Sequence, residues 1–446
     1  MNRRQFLTHV VRTVPAVASG VSLLARQRAL AATPPNPEPS YTLPSHLPKK
    51  LAISMFLWNW ISLAGGNGWG KAYTDLERVV AGLVERGFNA VRAEAGLNWC
   101  FRMDGQPRGE VAFGRSGFRL DVLKRVVRLM ELAKKHGVYV IWTDWEYQDS
   151  TNSLADSALR KEVMSIPEAD RLMCLARQHD RFLRFLKQRD LHKNIAFVEI
   201  ANEVDCSEFP KGPAGKKAHT EAIAFLRDRH SDILISGDYT VIRDPALIPD
   251  NTQVYDIHCY TGSPYQDLYA AAGFKAGELE GTKAAEDLER NTLLRRLLKK
   301  SFKPYSQYVD PNPNAREFWR KVNWLYGNVD IRALDEWFIE QYHKNGNQWK
   351  ATVSGRFAKD AEEAQRRHIP AVSDEGGYFA PAPGSQFELT EPGLSMFDLR
   401  VDLAIKHSYW GVMPTTYCGP EFPLWENVKW LQTINGRFLA GKLART

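Results

Sequence analysis

The chain contains few cysteines, and their arrangement argues against two kinds of stapled protein. Among 446 residues there are five cysteines, and no two of them form a CxxC pair. This scatter argues against a structural zinc site and against a disulfide scaffold. The odd count leaves at least one thiol unpaired, while a disulfide between Cys206 and Cys259 remains open. The five are Cys100, Cys174, Cys206, Cys259 and Cys418.

Long apolar runs are also missing once the N-terminus is set aside. There, Arg3-Arg4-Gln5-Phe6-Leu7 forms a twin-arginine pattern, a weakly apolar stretch runs from Val10 to Ala25, and Ala29-Leu30-Ala31 fits cleavage between small residues. Arg12 interrupts the apolar stretch, which argues against a transmembrane anchor. We therefore expect residues 1–31 to be a signal peptide for the twin-arginine export machinery, with no stable membrane anchor. The mature protein would be periplasmic or secreted from a bacterium.

The mature chain has no large excess of either charge. The full sequence has 59 lysines and arginines against 52 aspartates and glutamates. Residues 1–31 hold five of the arginines and no acid, so the mature chain carries 54 basic and 52 acidic residues. No dense basic patch with interleaved aromatic residues remains, and we therefore expect no nucleic-acid partner.

From Leu51 onward, short apolar segments alternate with segments of helical periodicity. Helical patterns such as Tyr73–Gly87 and Leu120–His136 separate the apolar segments, which are candidates for buried strands. Apolar strands that alternate with helices indicate an α/β fold with a parallel sheet covered on both faces. Eight such units predict a (β/α)8 TIM barrel. The eight predicted strands are Leu51–Leu57, Phe88–Arg92, Val138–Thr143, Ile195–Ile200, Ile233–Ser236, Val254–His258, Ile369–Val372 and Tyr409–Pro414.

One barrel domain, residues 51–446, accounts for most of the mature chain. Residues 32–50 are rich in proline and predict a linker or extended arm. Residues 265–350 hold charged, helix-like pieces and predict an insertion between the sixth and seventh strands. A doubly wound open sheet is the alternative fold. It would carry a glycine-rich fingerprint after its first strand, and Gly65-Gly66-Asn67-Gly68 does not match that fingerprint.

Two glutamates follow strands that lie across the predicted barrel from each other. Glu203 follows the strand Ile195–Ile200, and Glu375 follows the strand Ile369–Val372. Because a barrel site is built at the carboxyl ends of its strands, both side chains can reach the centre of the mouth. Hydrolysis of a glycosidic bond needs one carboxylic acid that gives up a proton and one carboxylate that stays ionised.

The predicted strand ends also carry amides, further acids, one arginine, one histidine and aromatic rings. Such a lining suits a carbohydrate, because aromatic rings have apolar faces and polar groups fix the orientation of a ligand. In strand order the residues are Trp58, Asn59 and Trp60; Arg92 and Glu94; Asp144, Trp145 and Glu146; Asn202 and Asp205; Asp238 and Tyr239; His258 and Tyr260; Asp374; and Thr415, Thr416, Tyr417 and Trp425.

An Asn-Glu pair after the fourth strand and a glutamate after the seventh resemble the clan A retaining glycoside hydrolases, and family 5 (cellulase- and mannanase-like) in particular. The likeness covers the strand ends of the barrel, roughly from Leu51 to Leu431. It implies that Glu203 is the acid/base and that Glu375 is the nucleophile.

The resemblance also implies roles for side chains around the two glutamates. Asn202 would bind the 2-hydroxyl of the sugar, and Arg92 would hold the nucleophile in its ionised form. His258 and Tyr260 match the His-x-Tyr that the family carries after its sixth strand.

Further substrate contacts are implied at three other strand ends. Trp425 would be the aromatic platform after the eighth strand, with Trp410 as its competitor. Trp58 and Asn59 after the first strand, and Asp144 after the third, complete the expected substrate-binding set. The third strand of the family commonly ends near a histidine, whereas this one ends in Asp-Trp-Glu, which leaves the substrate open.

The sequence therefore predicts an exported retaining β-glycoside hydrolase that acts on an oligosaccharide or polysaccharide. We expect no metal, no organic cofactor and a monomer. One alternative is a carbohydrate-binding barrel without catalysis, which the complete glutamate pair argues against. Another is a metal-dependent barrel hydrolase, which would want His-x-His after the first strand, where the chain has Trp58-Asn59-Trp60.

The predicted insertion is rich in aromatic residues, which favour a small core of their own over sugar-binding subsites. As a hypothesis, the insertion closes part of the cleft and favours short oligosaccharides. The aromatic residues are Tyr305, Tyr308, Trp319, Trp324, Tyr326 and Trp337.

Overall fold

The structure, a computed structural model, describes residues 41–57, 59–62, 69–113, 118–147, 157–240, 244–260, 262–272, 291–310, 317–379 and 381–443. The expected signal peptide lies outside these ranges. The described strands are β1 (Leu51–Phe56), β2 (Ala90–Glu94), β3 (Glu110–Phe113), β4 (Phe118–Asp121), β5 (Tyr139–Thr143), β6 (Ile195–Glu199), β7 (Ile235–Tyr239), β8 (Tyr255–Ile257), β9 (Ala371–Ser373) and β10 (Gly411–Val412).

Eight of these strands are parallel and close into a barrel in the order β1-β2-β5-β6-β7-β8-β9-β10. The last strand returns to the first, with Leu51 opposite Gly411. Each barrel strand overlaps one of the eight predicted strands, so the predicted (β/α)8 barrel is confirmed. The strands are almost entirely buried, because helices cover the outside of the barrel and side chains fill its inside.

A short antiparallel hairpin, β3 with β4, was not predicted. Its register places Glu110 opposite Asp121 and Phe113 opposite Phe118. The two strands mix charged and apolar residues over only four positions each. Segments this short give too few alternations to be recognised as strands from the sequence.

Thirteen α-helices are described, and most of them follow a barrel strand. They are α1 (Asn59–Ser62), α2 (Leu76–Glu85), α3 (Leu97–Cys100), α4 (Val122–His136), α5 (Ser157–Met164), α6 (Arg171–Lys187), α7 (Gly212–Arg227), α8 (Pro264–Ala271), α9 (Thr292–Leu297), α10 (Glu317–Asn328), α11 (Ile331–Arg366), α12 (Glu391–Lys406) and α13 (Val428–Ala440). Among the described residues, no helix combines the length and hydropathy needed to cross a membrane.

The chain between β8 and β9 carries four of these helices, and one of them differs from expectation. The sequence predicts separate helices over Ala333–Tyr342 and Lys359–His368, but α11 runs without a break through both. Gly346 and Gly355 lie inside it. A glycine costs a helix only about 1 kcal/mol relative to alanine, and buried Trp349, Val353 and Phe357 anchor this stretch, so packing overrides local propensity.

The five cysteines all lie within the described ranges, and all are thiols. The disulfide that the sequence left open between Cys206 and Cys259 is therefore not formed. Cys206 Sγ instead donates a hydrogen bond to Glu203 Oε2 at 3.1 Å.

Two buried histidines fix helices against the strands that carry the site. His179 of α6 contacts the carbonyl of Ile200 at 3.2 Å, and His219 Nδ1 of α7 lies 2.7 Å from Tyr239 Oη. The ring of His219 fills the space beside Gly237, where a Cβ would lie 1.9 Å from Cε1. Burial lowers the pKa of His179 to about 4 and that of His219 to about 3, so both rings are neutral in the folded protein near neutral pH.

These lowered pKa values predict that stability falls in mild acid. Below pH about 6.5 the unfolded chain binds protons that the folded chain refuses, so the free energy of unfolding drops as pH falls, by up to roughly 2 kcal/mol per histidine between pH 6.5 and 5. His219→Gln should flatten this slope in urea unfolding measured at several pH values. His343→Gln, at an exposed position of α11, is the control. A slope unchanged in His219→Gln would contradict the assignment.

Candidate active site

Glu203 lies in a strained turn beyond β6. Its φ is +46°, in the left-handed region that residues other than glycine rarely adopt. The N–H of Glu203 donates to Asp238 Oδ2 at 3.0 Å, and its carbonyl accepts from the N–H groups of Cys206 and Ser207, each at 2.9 Å. Such strain persists only where the surroundings hold it, and it concentrates at functional sites. The side chain of Glu203 is 19% exposed.

Glu375 lies two residues beyond β9, and a glycine pair turns the chain after it. Gly376 has φ +146° and Gly377 has φ +83°. A Cβ on Gly376 would lie 2.4 Å from the carbonyl oxygen of Cys259, so only glycine fits there. Buried Arg400 of α12 donates to that same carbonyl at 2.8 Å and ties the ends of β8 and β9 together.

Arg92 is fully buried in β2 and lies among four carboxylates. Nη2 is 2.5 Å from Glu199 Oε2 and 3.0 Å from Asp238 Oδ2, and Nε is 3.0 Å from Asp374 Oδ2. Nη1 pairs with Glu375 Oε1. One guanidinium cannot offset four ionised acids in a dry interior, so the cluster must hold protons.

His258 and Tyr260 connect the two glutamates from the end of β8. His258 Nδ1 lies 2.9 Å from Glu203 Oε1 and 3.4 Å from Glu375 Oε2, while Nε2 lies 3.0 Å from Asp238 Oδ1. Tyr260 Oη donates to Glu375 Oε2 at 2.7 Å. Arg92 and Tyr260 therefore hold one oxygen each of the Glu375 carboxylate.

The acids beneath Arg92 differ in protonation. Burial and the nearby Glu199 charge raise the pKa of Asp374 well above its usual range. Burial and the Asp374 charge do the same for Asp256. Burial would also raise the pKa of Glu199, but the Arg92 charge overcomes it and the pKa is lowered. Glu199 is thus the ionised partner of Arg92, with neutral acids beside it.

His258 forms the second positive centre of the site. Burial alone would lower its pKa, but the charges of Asp238 and Glu375 raise the pKa well above the usual range. Burial raises the pKa of Asp238 to about 7, against the attraction of His258 and Arg92. Both partners of the 3.0 Å contact between Asp238 and His258 therefore exchange protons within this site.

Two groups of side chains have donor atoms close enough to hold a metal ion. One is Glu203, His258 and Glu375, and the other is the buried set Glu199, Asp256 and Asp374; within each group the donor atoms lie within 4.8 Å of one another. The first group fits a cation poorly, because Arg92 and Tyr260 already donate to both oxygens of Glu375.

The structure brings six of the predicted site residues into one contact network. Glu203, Glu375, His258 and Tyr260 are joined as described. Asn202 joins them because its Oδ1 accepts from Arg92 Nη2 at 2.6 Å. The six are Arg92, Asn202, Glu203, His258, Tyr260 and Glu375.

Asp144 and Trp425 contact other parts of the barrel. Both oxygens of buried Asp144 accept backbone N–H groups, from Leu97 at 3.1 Å and from Glu146 at 3.0 Å. Burial raises the pKa of Asp144 to about 7. Trp425 is buried against α2, where the Arg86 guanidinium lies 4.0 Å from its ring.

The remaining predicted positions at the first and last strands are less informative. Trp58 lies outside the described residues. Asn59 begins α1, and nothing is described of its side chain. Trp410, the competitor for the platform, is buried, and its Nε1 donates to the carbonyl of Pro48 at 3.0 Å.

Sequence reasoning missed four residues that shape the site. Glu199, Asp238 and Asp374 bind Arg92, and Thr416 Oγ1 lies 2.8 Å from Tyr260 Oη. Glu199 gave a usable signal, since it is a charged residue inside an apolar buried strand. Asp238, Asp374 and Thr416 stand among other polar residues at strand ends, where the sequence does not show which ones face inward.

The comparison with family models gives one match. The model described as cellulase (glycosyl hydrolase family 5) matches residues 54–307, which is more than half of the chain. A search of curated proteins finds no match.

Solved structures similar to this chain are glycoside hydrolases by their descriptions. A proposed glycoside hydrolase from Parabacteroides distasonis superposes with a TM-score of 0.61 at 14% identity, over 89% of this chain and 96% of that one. A family 5 mannosidase from Rhizomucor miehei gives 0.45 at 12%, over 88% and 94%. Thermotoga maritima Cel5A in complex with mannotriose gives 0.45 at 16%, over 86% and 97%. The first of these shares the fold, and at such identities the likeness extends no further.

Proposed function

The chain belongs to glycosyl hydrolase family 5, and we propose that it is an exported retaining β-glycosidase that cleaves β-linked glycans by double displacement. The observation that carries the proposal is the placement of Glu203 and Glu375 around His258, with donor atoms within 4.8 Å of one another. An inverting pair stands about 6.5–9.5 Å apart to admit a water, whereas a retaining pair stands about 5–5.5 Å apart. The short separation therefore favours retention.

Glu375 is the better candidate for the nucleophile. Arg92 donates to one of its oxygens and Tyr260 donates to the other. Hydrogen bonds to the charged form favour the carboxylate over the acid. The same two donors fix the direction from which the carboxylate meets the anomeric carbon, which lowers the entropic part of the barrier.

Glu203 is the better candidate for the acid/base. Its side chain is more exposed than that of Glu375, 19% against 8%, so a leaving group and a water can both reach it. The 2.9 Å contact with His258 Nδ1 gives it a partner with which to share a proton. A general acid must hold its proton near the working pH and release it in the transition state.

The proposed reaction has two displacements. Glu375 attacks the anomeric carbon while Glu203 gives its proton to the departing oxygen, which leaves a glycosyl ester on Glu375. Glu203 then takes a proton from a water, the oxygen of that water attacks the anomeric carbon, and the ester bond breaks to restore the Glu375 carboxylate. Asn202, oriented by Arg92, is assigned to the 2-hydroxyl of the sugar.

We expect Glu375→Ala and Glu203→Ala each to lower kcat on aryl β-glycosides and on β-linked glucans and mannans by at least about 1,000-fold. Azide should restore turnover in both, with opposite products. In Glu375→Ala it replaces the nucleophile and gives the inverted α-glycosyl azide. In Glu203→Ala it attacks the glycosyl-enzyme and gives the retained β-glycosyl azide. Product anomers are read by proton NMR.

The same assays separate the alternatives. Full activity in Glu375→Ala would overturn the mechanism. Glycan binding by the wild type without turnover anywhere in the panel would favour a carbohydrate-binding barrel. Activity lost to a chelator and restored by zinc would favour a metal-dependent hydrolase.

Asp238 is proposed as a positioning residue. Its carboxylate accepts the Glu203 N–H and an Arg92 N–H and contacts His258 Nε2, each at 3.0 Å. It thereby fixes the strained backbone of Glu203 and turns His258 Nδ1 toward the Glu203 carboxyl group.

Asp238→Asn should lower kcat about 100-fold with little change in KM, since a small displacement of catalytic groups costs about that factor. Removing the Asp238 charge also lowers the pKa of His258, so the limb of the kcat–pH profile that follows His258 deprotonation should move to lower pH. Asp360→Asn is the control, because Asp360 is equally buried but pairs with Arg356 of α11. An unmoved limb would show that Asp238 has no role beyond stability.

Export is proposed from the twin-arginine pattern, and the thiols support it. Substrates of the twin-arginine route fold in a reducing compartment, and the five cysteines are thiols. Arg3→Lys with Arg4→Lys should retain the protein in the cytoplasm on cell fractionation, whereas Arg12→Lys should not. Export of the double variant at the wild-type level would contradict this route.

A further inference from the structure

We propose that Trp319 and Phe379 form a stacking subsite for the sugar ring next to the one being cleaved. The inference rests on the proposed function, since it extends the same cleft along a β-linked glycan. The ligand class is an oligosaccharide of at least two pyranose rings, whose apolar C–H faces pack on aromatic rings.

Aromatic contacts lead from the nucleophile to these two residues. Tyr260, which donates to Glu375, meets Phe379 edge to face with ring centroids 5.4 Å apart. Phe379 in turn meets Trp319 of α10 at 5.5 Å with an interplanar angle of 39°. Tyr260, Phe379 and Trp319 are all partly exposed. The aromatic row therefore continues the exposed surface of the catalytic site outward from Glu375.

Buried residues hold this row in place. Phe318 lies 5.3 Å from Trp319 and 5.5 Å from buried Tyr269, both edge to face. Tyr269 Oη contacts Tyr326 Oη at 2.5 Å and donates to the carbonyl of Phe379 at 3.5 Å. A rigid aromatic surface loses little entropy on binding, which suits a sugar platform.

The other tryptophans of this segment have different surroundings. Trp324 is fully buried, and its Nε1 donates to the carbonyl of Lys303 at 2.7 Å. Trp337 is 6% exposed and packs on Phe338. These two form the small core that the sequence favours for the whole set, whereas Trp319 stays at the surface.

Trp319 also lies where the rest of the chain leaves a gap. Trp425 and Trp410 are both buried in structural contacts, so neither offers a ring to a substrate. Trp319 and Phe379 lie outside residues 54–307, the part that the family model matches. The subsite would therefore be a feature of this chain's own segment between β8 and β9 and the turn after Glu375.

The test compares substrates of different length. In Trp319→Ala, kcat/KM should fall about tenfold on cellohexaose or mannohexaose, whichever the wild type hydrolyses, and stay within about twofold on the corresponding aryl monoglycoside. Trp319→Phe should restore most of the loss. Trp430→Ala is the matched control, since Trp430 is partly buried on α13 beside Phe397. Equal loss on long and short substrates, or no loss, would overturn the subsite.

A binding measurement keeps the test independent of turnover. Calorimetric titration of cellohexaose and mannohexaose into Glu375→Ala, with and without Trp319→Ala, should show about tenfold weaker binding when Trp319 is absent. Unchanged affinity, or no binding of either hexaose to Glu375→Ala, would overturn the subsite. Failure of the catalytic proposal alone appears differently, as absent turnover with the Trp319-dependent binding retained.

Discussion

The burial of Arg92 among acids is the interaction on which the site depends. A guanidinium with no exposure to water must be paired, and four carboxyl groups from β6, β7 and the end of β9 converge on it. Its charge selects which of them is ionised, and the others keep protons. Because these acids come from three different barrel strands, closing the barrel and setting the charge of the site are one event.

Asp238 transmits this arrangement to the catalytic pair. One carboxylate contacts Arg92, His258 and the backbone of Glu203, and so the left-handed turn at Glu203 is held by the same group that orients the histidine. Behind β7, the absence of a side chain at Gly237 admits the ring of His219, which fixes the strand from outside. Packing on the outer face of the barrel thereby controls positions at its mouth.

The tryptophans show how surroundings divide one residue type between two roles. Trp425 stacks on Arg86 and Trp410 packs beneath the barrel wall, so both stabilise the fold. Trp319 has a partly exposed ring in a row that begins at Tyr260. Membership of the family accounts for the barrel, while the proposed subsite belongs to the segment that this chain adds between β8 and β9.

The sequence by itself determined the eight-stranded barrel and the two glutamates, because apolar strands separated by amphipathic helices have few other ways to bury both faces, and strand ends of a barrel converge. Arg92, Asn202, His258 and Tyr260 followed from that convergence. Only the tertiary structure decided the contacts of Asp144 and Trp425, the partners Glu199, Asp238 and Asp374, and the single long helix α11. These depend on side-chain direction, on sharing of protons among acids distant in the chain, and on packing that overrides local propensity, none of which is local in the sequence.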